Sequence, residues 1–170
     1  MADVPALRSL MAAAIDQLQR GHLSEAQIVA SRAIMGLDTQ LIEDGTYFLA
    51  ETETEVVGSG GWSRRATLYG GDHSTALRAP RLLDPLFEEA RIRAMYTAPG
   101  HARTGVGRLI LATCEAAARK AGFGSAELMA TLSGEQLYRR CGYEPVAREP
   151  ALVEGVEVPL LRMRKSLDGA

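Results

Sequence analysis

The stretch Ile92-Arg-Ala-Met-Tyr-Thr-Ala-Pro-Gly-His-Ala-Arg-Thr-Gly-Val-Gly-Arg-Leu-Ile-Leu111 decides the reading of this 170-residue chain. Its first part has the pattern of a strand that ends at Pro99, and the glycine-rich turn from Arg103 to Gly107 opens an amphipathic helix. Strand, glycine turn and helix N-terminus in that order form an anion cradle. Unpaired N–H groups of the first helical turn converge on one point, and the helix dipole favours negative charge there. Gly105 and Gly107 carry no Cβ, so a phosphate can approach the backbone closely, and Arg103 and Arg108 flank the turn with positive charge. A diphosphate-containing ligand is the natural guest. Two glycines one residue apart also occur in tight turns that hold nothing.

Known phosphate motifs separate the alternatives. The dinucleotide fingerprint needs a third glycine where this chain has Ile110, and the nucleotide P-loop needs a Gly-Lys-Ser/Thr that is missing from the turn. Ala102 to Gly107 instead resembles R/Q-x-x-G-x-G/A, the pyrophosphate signature of the GNAT superfamily of N-acetyltransferases. Ala102 departs from the pattern, which removes a side-chain contact but none of the backbone donors. Further on, Leu137-Tyr138-Arg-Arg-Cys-Gly142-Tyr143 resembles the family's L/F-Y-x-x-x-G-F/Y element. The resemblance is strongest over 92–143.

The resemblance implies an α/β fold, α+β in some schemes. It would be a single domain over 1–170 with a mixed, mostly antiparallel central sheet flanked by helices and a splayed strand pair at the cofactor site. It implies acetyl-CoA as co-substrate, with no metal. The N–H groups of Arg103, Thr104, Gly105, Val106, Gly107 and Arg108 would grip the diphosphate. The exposed backbone of Met95, Tyr96 and Thr97 would pair with the pantetheine arm, and Met95 or Tyr96 would supply an oxyanion donor. Tyr138 would protonate the departing thiolate, since a phenol with a pKa of about 10 keeps its proton at neutral pH. Where the family often has Asn, this chain has Thr131 and Ser133, whose hydroxyls can replace the amide. A homodimer is the family habit.

Bulk properties narrow the remaining classes. Hydrophobic residues make up 46% and charged residues 24%, the balance of a globular domain large enough to need no staples. A net charge of −2 argues against nucleic acid as the partner, because binding a phosphate backbone needs a basic surface. Cys114 and Cys141 make no disulfide framework, and Cys114 falls among apolar helix positions. No signal-peptide pattern or membrane-length apolar run is present, so no membrane association and a cytoplasmic location are expected.

Along the chain, Leu7 to Leu18 recur at helical spacing, giving a helix from Pro5 to Arg20 stopped by Gly21. Ser24 caps a second helix that runs to Gly36; no convincing first strand is read before this pair, which leaves open whether the family's first strand is missing or the first helix begins the domain. Tyr47–Glu51 and Val56–Trp62 read as a hairpin, and the glycines of its second strand mark a bulge or a close approach. Ile92, Ala94 and Tyr96 are expected on one strand face, opposite Arg91, Arg93 and Met95. A strand is expected from Ala126 to Thr131, and a last hairpin turn at Glu154-Gly155.

Acetyl transfer also needs a neutral amine. Glu89, which opens the central strand, is the first candidate base, and His73 in the long 63–89 connection is the second. Arg64, with Arg65, Trp62 and Tyr69 are candidates for the acceptor pocket, each with an alternative as solvated charge or core. The expected activity is direct transfer to a primary amine of a small molecule or peptide. The alternative from another class is a non-catalytic acyl-CoA-binding sensor, which keeps the cradle without needing Tyr138.

Overall fold

The computed structural model describes residues 3–168. The chain begins with α1 (Val4–Leu18), α2 (Glu25–Ser31) and α3 (Thr39–Glu43), followed by the hairpin β1 (Tyr47–Glu51) and β2 (Val56–Ser63). After a long connection come β3 (Ala90–Thr97), α4 (Val106–Lys120), β4 (Ser125–Thr131) and α5 (Glu135–Arg140). β5 (Glu144–Arg148), β6 (Ala151–Val153), β7 (Val156–Val158) and β8 (Leu160–Ser166) complete the described chain. Among the described residues no strand precedes the helices.

Six strands form one sheet in the order β1-β2-β3-β4-β8-β5, antiparallel except for the β3–β4 pair. Helices cover both faces. Ile110, Leu111, Cys114 and Ala118 of α4 pack with Tyr138 of α5 on one face, while Leu7, Leu10, Met11, Ala14 and Ile15 of α1 cover part of the other. β6 and β7 form a separate hairpin beside α2. Its two-residue turn at Glu154 (φ 48°) and Gly155 (φ 83°) matches the twist of the flanking strands.

Local chemistry accounts for the element ends. Ser24 and Gln27 form a reciprocal capping box on α2, but the helix stops at Ser31 and continues as turns, short of the expected Gly36. Asp38 caps α3 by accepting from the Gln40 N–H at 3.1 Å. β5, absent from the sequence reading, is an edge strand whose Pro145 lies beside a register shift, a position where a missing N–H is tolerated.

The expected alternation along β3 holds only as far as Arg93. Ser59 opposes Tyr96 and Gly61 opposes Arg93, so β3 carries one extra residue, a bulge at Ala94 with φ 51°. A one-residue slip exchanges the faces beyond it. Ile92 and Met95 therefore face α4, while Arg93 and Tyr96 face the helices at the start of the chain. Ile92 and Tyr96 do not share a face.

The glycines of β2 answer to this packing. A Cβ at Gly60 would strike the Met95 sulfur and stand 2.7 Å from Ile110 Cγ2, and a Cβ at Gly58 would meet Val106 and Ile110. α4 thus lies directly on β2, and the close approach is by a helix. On the opposite face a Cβ at Gly61 would stand 2.9 Å from the Thr46 carbonyl oxygen and 2.8 Å from Tyr47 Cδ2. Backbone cannot yield as a side-chain tip does. Gly61→Ala should cost about 1–3 kcal/mol by overpacking, read as a lower Tm in a thermal melt; an unchanged Tm would refute the crowding.

Candidate active site

β3 and β4 pair only at Ala90↔Ala126 and Arg91↔Glu127, then separate. The bulge at Ala94 lies beyond the last of these pairs. The Tyr47 hydroxyl reaches the Ala94 carbonyl at 3.3 Å and Ser59 Oγ at 2.9 Å, tying the bulged residue to β1 and β2. The Gly36 N–H donates to Tyr96 Oη at 2.7 Å, which fixes the other side. The Ala98 N–H donates to the Val57 carbonyl at 2.9 Å, and Tyr96 lies opposite Ser59. Amides alternate in direction along a strand, so Tyr96 and Ala98 turn theirs toward β2. Met95 and Thr97 turn theirs into the gap.

The glycine turn follows at once. Gly105 (φ 100°) is the N-cap of α4 and Arg103 (φ 66°) is also left-handed, so the chain coils ahead of the helix. No side chain caps α4, which leaves its first N–H groups available, as an anion site requires. Open space surrounds Gly105, whereas a Cβ at Gly107 would stand 3.0 Å from Leu137 Cδ2 and 3.5 Å from Thr97 Oγ1. Gly105 therefore serves the turn, and Gly107 lets α4 start against β3 and α5. Arg103, Thr104 and Arg108 are exposed around this point.

Beneath the divergence is a cleft. Met95, Tyr96, Met129 and Thr131 of the sheet and Tyr138 of α5 line it, together with Ile34, Met35, Leu68 and Tyr69. Tyr138 packs edge-on against Tyr143 with ring centroids 6.0 Å apart, and burial raises its pKa well above that of an ordinary phenol. Burial also pushes Tyr96 up to about 12 and raises Tyr69. At the turn after β4, the Thr131 and Ser133 hydroxyls bond each other at 3.1 Å, and Thr131 Oγ1 accepts from the Gly134 N–H at 3.3 Å.

The wall of the cleft is held by an ion network. Arg93, its side chain only 3% exposed, pairs with the fully buried Asp38 at 2.5 Å and donates to the Gly70 carbonyl at 2.8 Å. Arg78 bridges Asp38 at 3.2 Å and Asp72 at 3.0 Å, and Asp72 accepts from the Thr39 N–H and hydroxyl, each at 2.9 Å. These bonds hold the 64–89 connection against α3.

Of the acceptor-side residues expected from sequence, the cleft gathers Tyr69 alone. Glu89 stands at the closed end of the strand pair, 3.0 Å from Arg164 and 3.8 Å from Arg91, because β3 opens toward Thr97 and away from Glu89. It is not placed to take a proton in the cleft. His73 turns outward and bonds the Arg32 carbonyl at 2.8 Å. Trp62 is core, edge-on to Phe123 at 6.0 Å, and Arg64 lies over its ring at 5.8 Å. Arg65 grips Asp44 with two bonds of 2.7 and 2.9 Å. Tyr47, Asp38 and Arg93 escaped the sequence reading, although Asp38 two residues after Gly36 carried a helix-cap signal.

The family profile described as "Acetyltransferase (GNAT) domain" matches residues 43–145, more than half of the chain. The chain belongs to this family and is an acyltransferase. No curated protein matches its sequence. Among solved structures, a GCN5-related N-acetyltransferase from Rhodopseudomonas palustris superposes with a TM-score of 0.70 at 18% identity, over 97% of this chain and 90% of that one. YncA of Salmonella typhimurium, solved with its cofactor acetyl-CoA, gives 0.62 at 18% identity over 99% and 91%. The PaiA N-acetyltransferase of Thermoplasma acidophilum, solved with coenzyme A, gives 0.59 at 13% identity over 97% and 93%. At these identities the likeness is one of fold. No helix among the described residues is long and apolar enough to cross a membrane.

Removing Asp38 would leave Arg93 charged, buried and without its partner. Asp38→Ala should cost about 3–5 kcal/mol, measured by urea unfolding. A negligible loss would show that the network is not what holds the cleft wall.

Proposed function

We propose that the protein moves an acetyl group from acetyl-CoA to a primary amine of a small molecule or peptide, by direct transfer. One observation carries the reading. Met95 and Tyr138 line one cleft where β3 has left β4, and the glycine turn that follows β3 leads into the uncapped start of α4.

Acetyl-CoA, when bound, supplies a thioester activated toward amines. The N–H groups from Arg103 to Arg108 hold its diphosphate, and the free edge of β3 from Met95 to Thr97 holds its arm as an added strand would. The Met95 N–H, directed into the gap, stabilises negative charge on a carbonyl oxygen. One such donor is typically worth about 10²–10³ in rate. Tyr138 keeps its proton at Oη well beyond neutral pH, because burial disfavours the phenolate, so the proton is present for transfer once negative charge builds on sulfur.

Direct transfer is favoured by the state of Cys114. Its thiol is fully buried and pushed up to about 12, chiefly by burial, which leaves it a thiol and not a nucleophilic thiolate.

Tyr138→Phe should lower kcat by about 10²–10⁴ if the phenol is the general acid, with acetyl-CoA affinity retained. An unchanged kcat removes that role. Titration calorimetry with acetyl-CoA, with ATP alongside, tests the donor. One-to-one binding of acetyl-CoA with little heat from ATP is expected, and no binding overturns the reading.

A further inference from the structure

We propose that the acceptor is an amine uncharged at neutral pH, of the arylamine class, and not an alkylammonium. The inference rests on the transferase reading above and concerns what its acceptor cleft can accommodate. An alkylamine arrives as a cation. It must be stabilised as one, or lose its proton to a base, before its lone pair can attack.

The groups on the cleft wall do neither. From β3 come Met95, Tyr96 and Arg93; from β4, Met129 and Thr131; from the long connection, Leu68 and Tyr69. Arg93, the charged member among these described residues, carries the same sign as an ammonium. The carboxylate behind it, Asp38, is fully buried and already held by Arg93, Arg78 and the Gln40 N–H. Asp72 is likewise occupied by Arg78 and Thr39. Two arginines and two aspartates leave this network neutral as seen from the cleft. Further out, Glu149 is near enough to help raise Tyr69, but it lies 3.3 Å from Arg162 and its side chain is 40% exposed.

The phenols tell the same story. Tyr69, Tyr96 and Tyr138 reach the cleft from three different elements or connections, and burial is the first cause of the raised pKa of each. An environment that disfavours phenolate by desolvation disfavours a lone ammonium too. A neutral amine meets no such cost. Met129 on β4 adds apolar side-chain surface to the lining, and a thioether contacts aromatic rings favourably. In the reaction the nitrogen lone pair forms the C–N bond as the C–S bond breaks. Sulfur takes the Tyr138 proton, and the proton shed by nitrogen returns through solvent to the phenol. The products are the N-acetyl amide and the free thiol.

Aniline and benzylamine separate the possibilities, since they share a ring and a primary amine but only benzylamine is a cation at neutral pH. With acetyl-CoA as donor, aniline should have at least a tenfold higher kcat/KM at neutral pH. Its profile should be flat toward alkaline pH, while that of benzylamine rises as free base accumulates. Benzylamine used equally well at neutral pH overturns the inference. So does acetyl-CoA binding by calorimetry with neither amine acetylated, an outcome that leaves the donor site intact. Failure to bind acetyl-CoA would instead overturn the transferase reading beneath it.

Discussion

The bulge at Ala94 is the constraint on which the rest of the structure depends. A non-glycine residue held left-handed costs on the order of 1–3 kcal/mol. Three features hold it in place. The Tyr47 hydroxyl satisfies its carbonyl, Gly60 leaves room for the Met95 side chain across the strand, and Gly36 secures Tyr96 just beyond. One extra residue then has two consequences. It falls on the part of β3 that has already left β4, where it bends the strand, and it moves Tyr96 onto the face that Arg93 already occupies. Without the bulge, Met95 and Thr97 would spend their amides on a neighbouring strand.

The long connection from residue 64 to 89 is more ordered than its length and composition imply. Leu83, Thr67 and Ser74 are buried, Arg65 is clamped to Asp44, and Ser74 donates to the Ala33 carbonyl at 2.8 Å. Arg65 and Arg78 reach back to Asp44 and Asp38 of the N-terminal helical region, so the connection acts as a wall. That wall brings Leu68, Tyr69 and Gly70 to the cleft, and Gly70 reaches Arg93 through its carbonyl. Burying Arg93 in this way is tolerable only because Asp38 is buried with it, in a geometry fixed by the cap of α3.

The strand, glycine turn and helix start of the proposed cofactor side were legible in the sequence because they depend on local chemistry. Pro99 ends a strand, Gly105 supplies a left-handed turn, and the apolar spacing after it starts a helix; each signal spans a few residues. The family motif at Tyr138 likewise lies within one helix and its exit. The bulge gave no such signal, since nothing in Arg-Ala-Met marks a left-handed alanine. Its supports come from Tyr47 and Gly60, far away in the chain, and the expected alternation of β3 failed for that reason. Glu89 failed for a related one. Standing beside a strand does not say toward which end the strand opens.

The same division explains why the donor and acceptor sides are specified so differently. A diphosphate can be held by backbone N–H groups, whose positions depend on the turn and little on side-chain identity; Ala102 can therefore replace Arg or Gln there with those donors intact. The acceptor wall is made by side chains meeting across distant segments, with Asp38, Arg78 and Arg93 drawn from a helix cap, a loop and a strand. Changing one member alters the charge facing the cleft, whereas changing a cradle side chain leaves the amides where they were. On the acceptor reading proposed above, preference for a neutral amine follows from the pairing of Arg93 and Arg78 with Asp38 and Asp72.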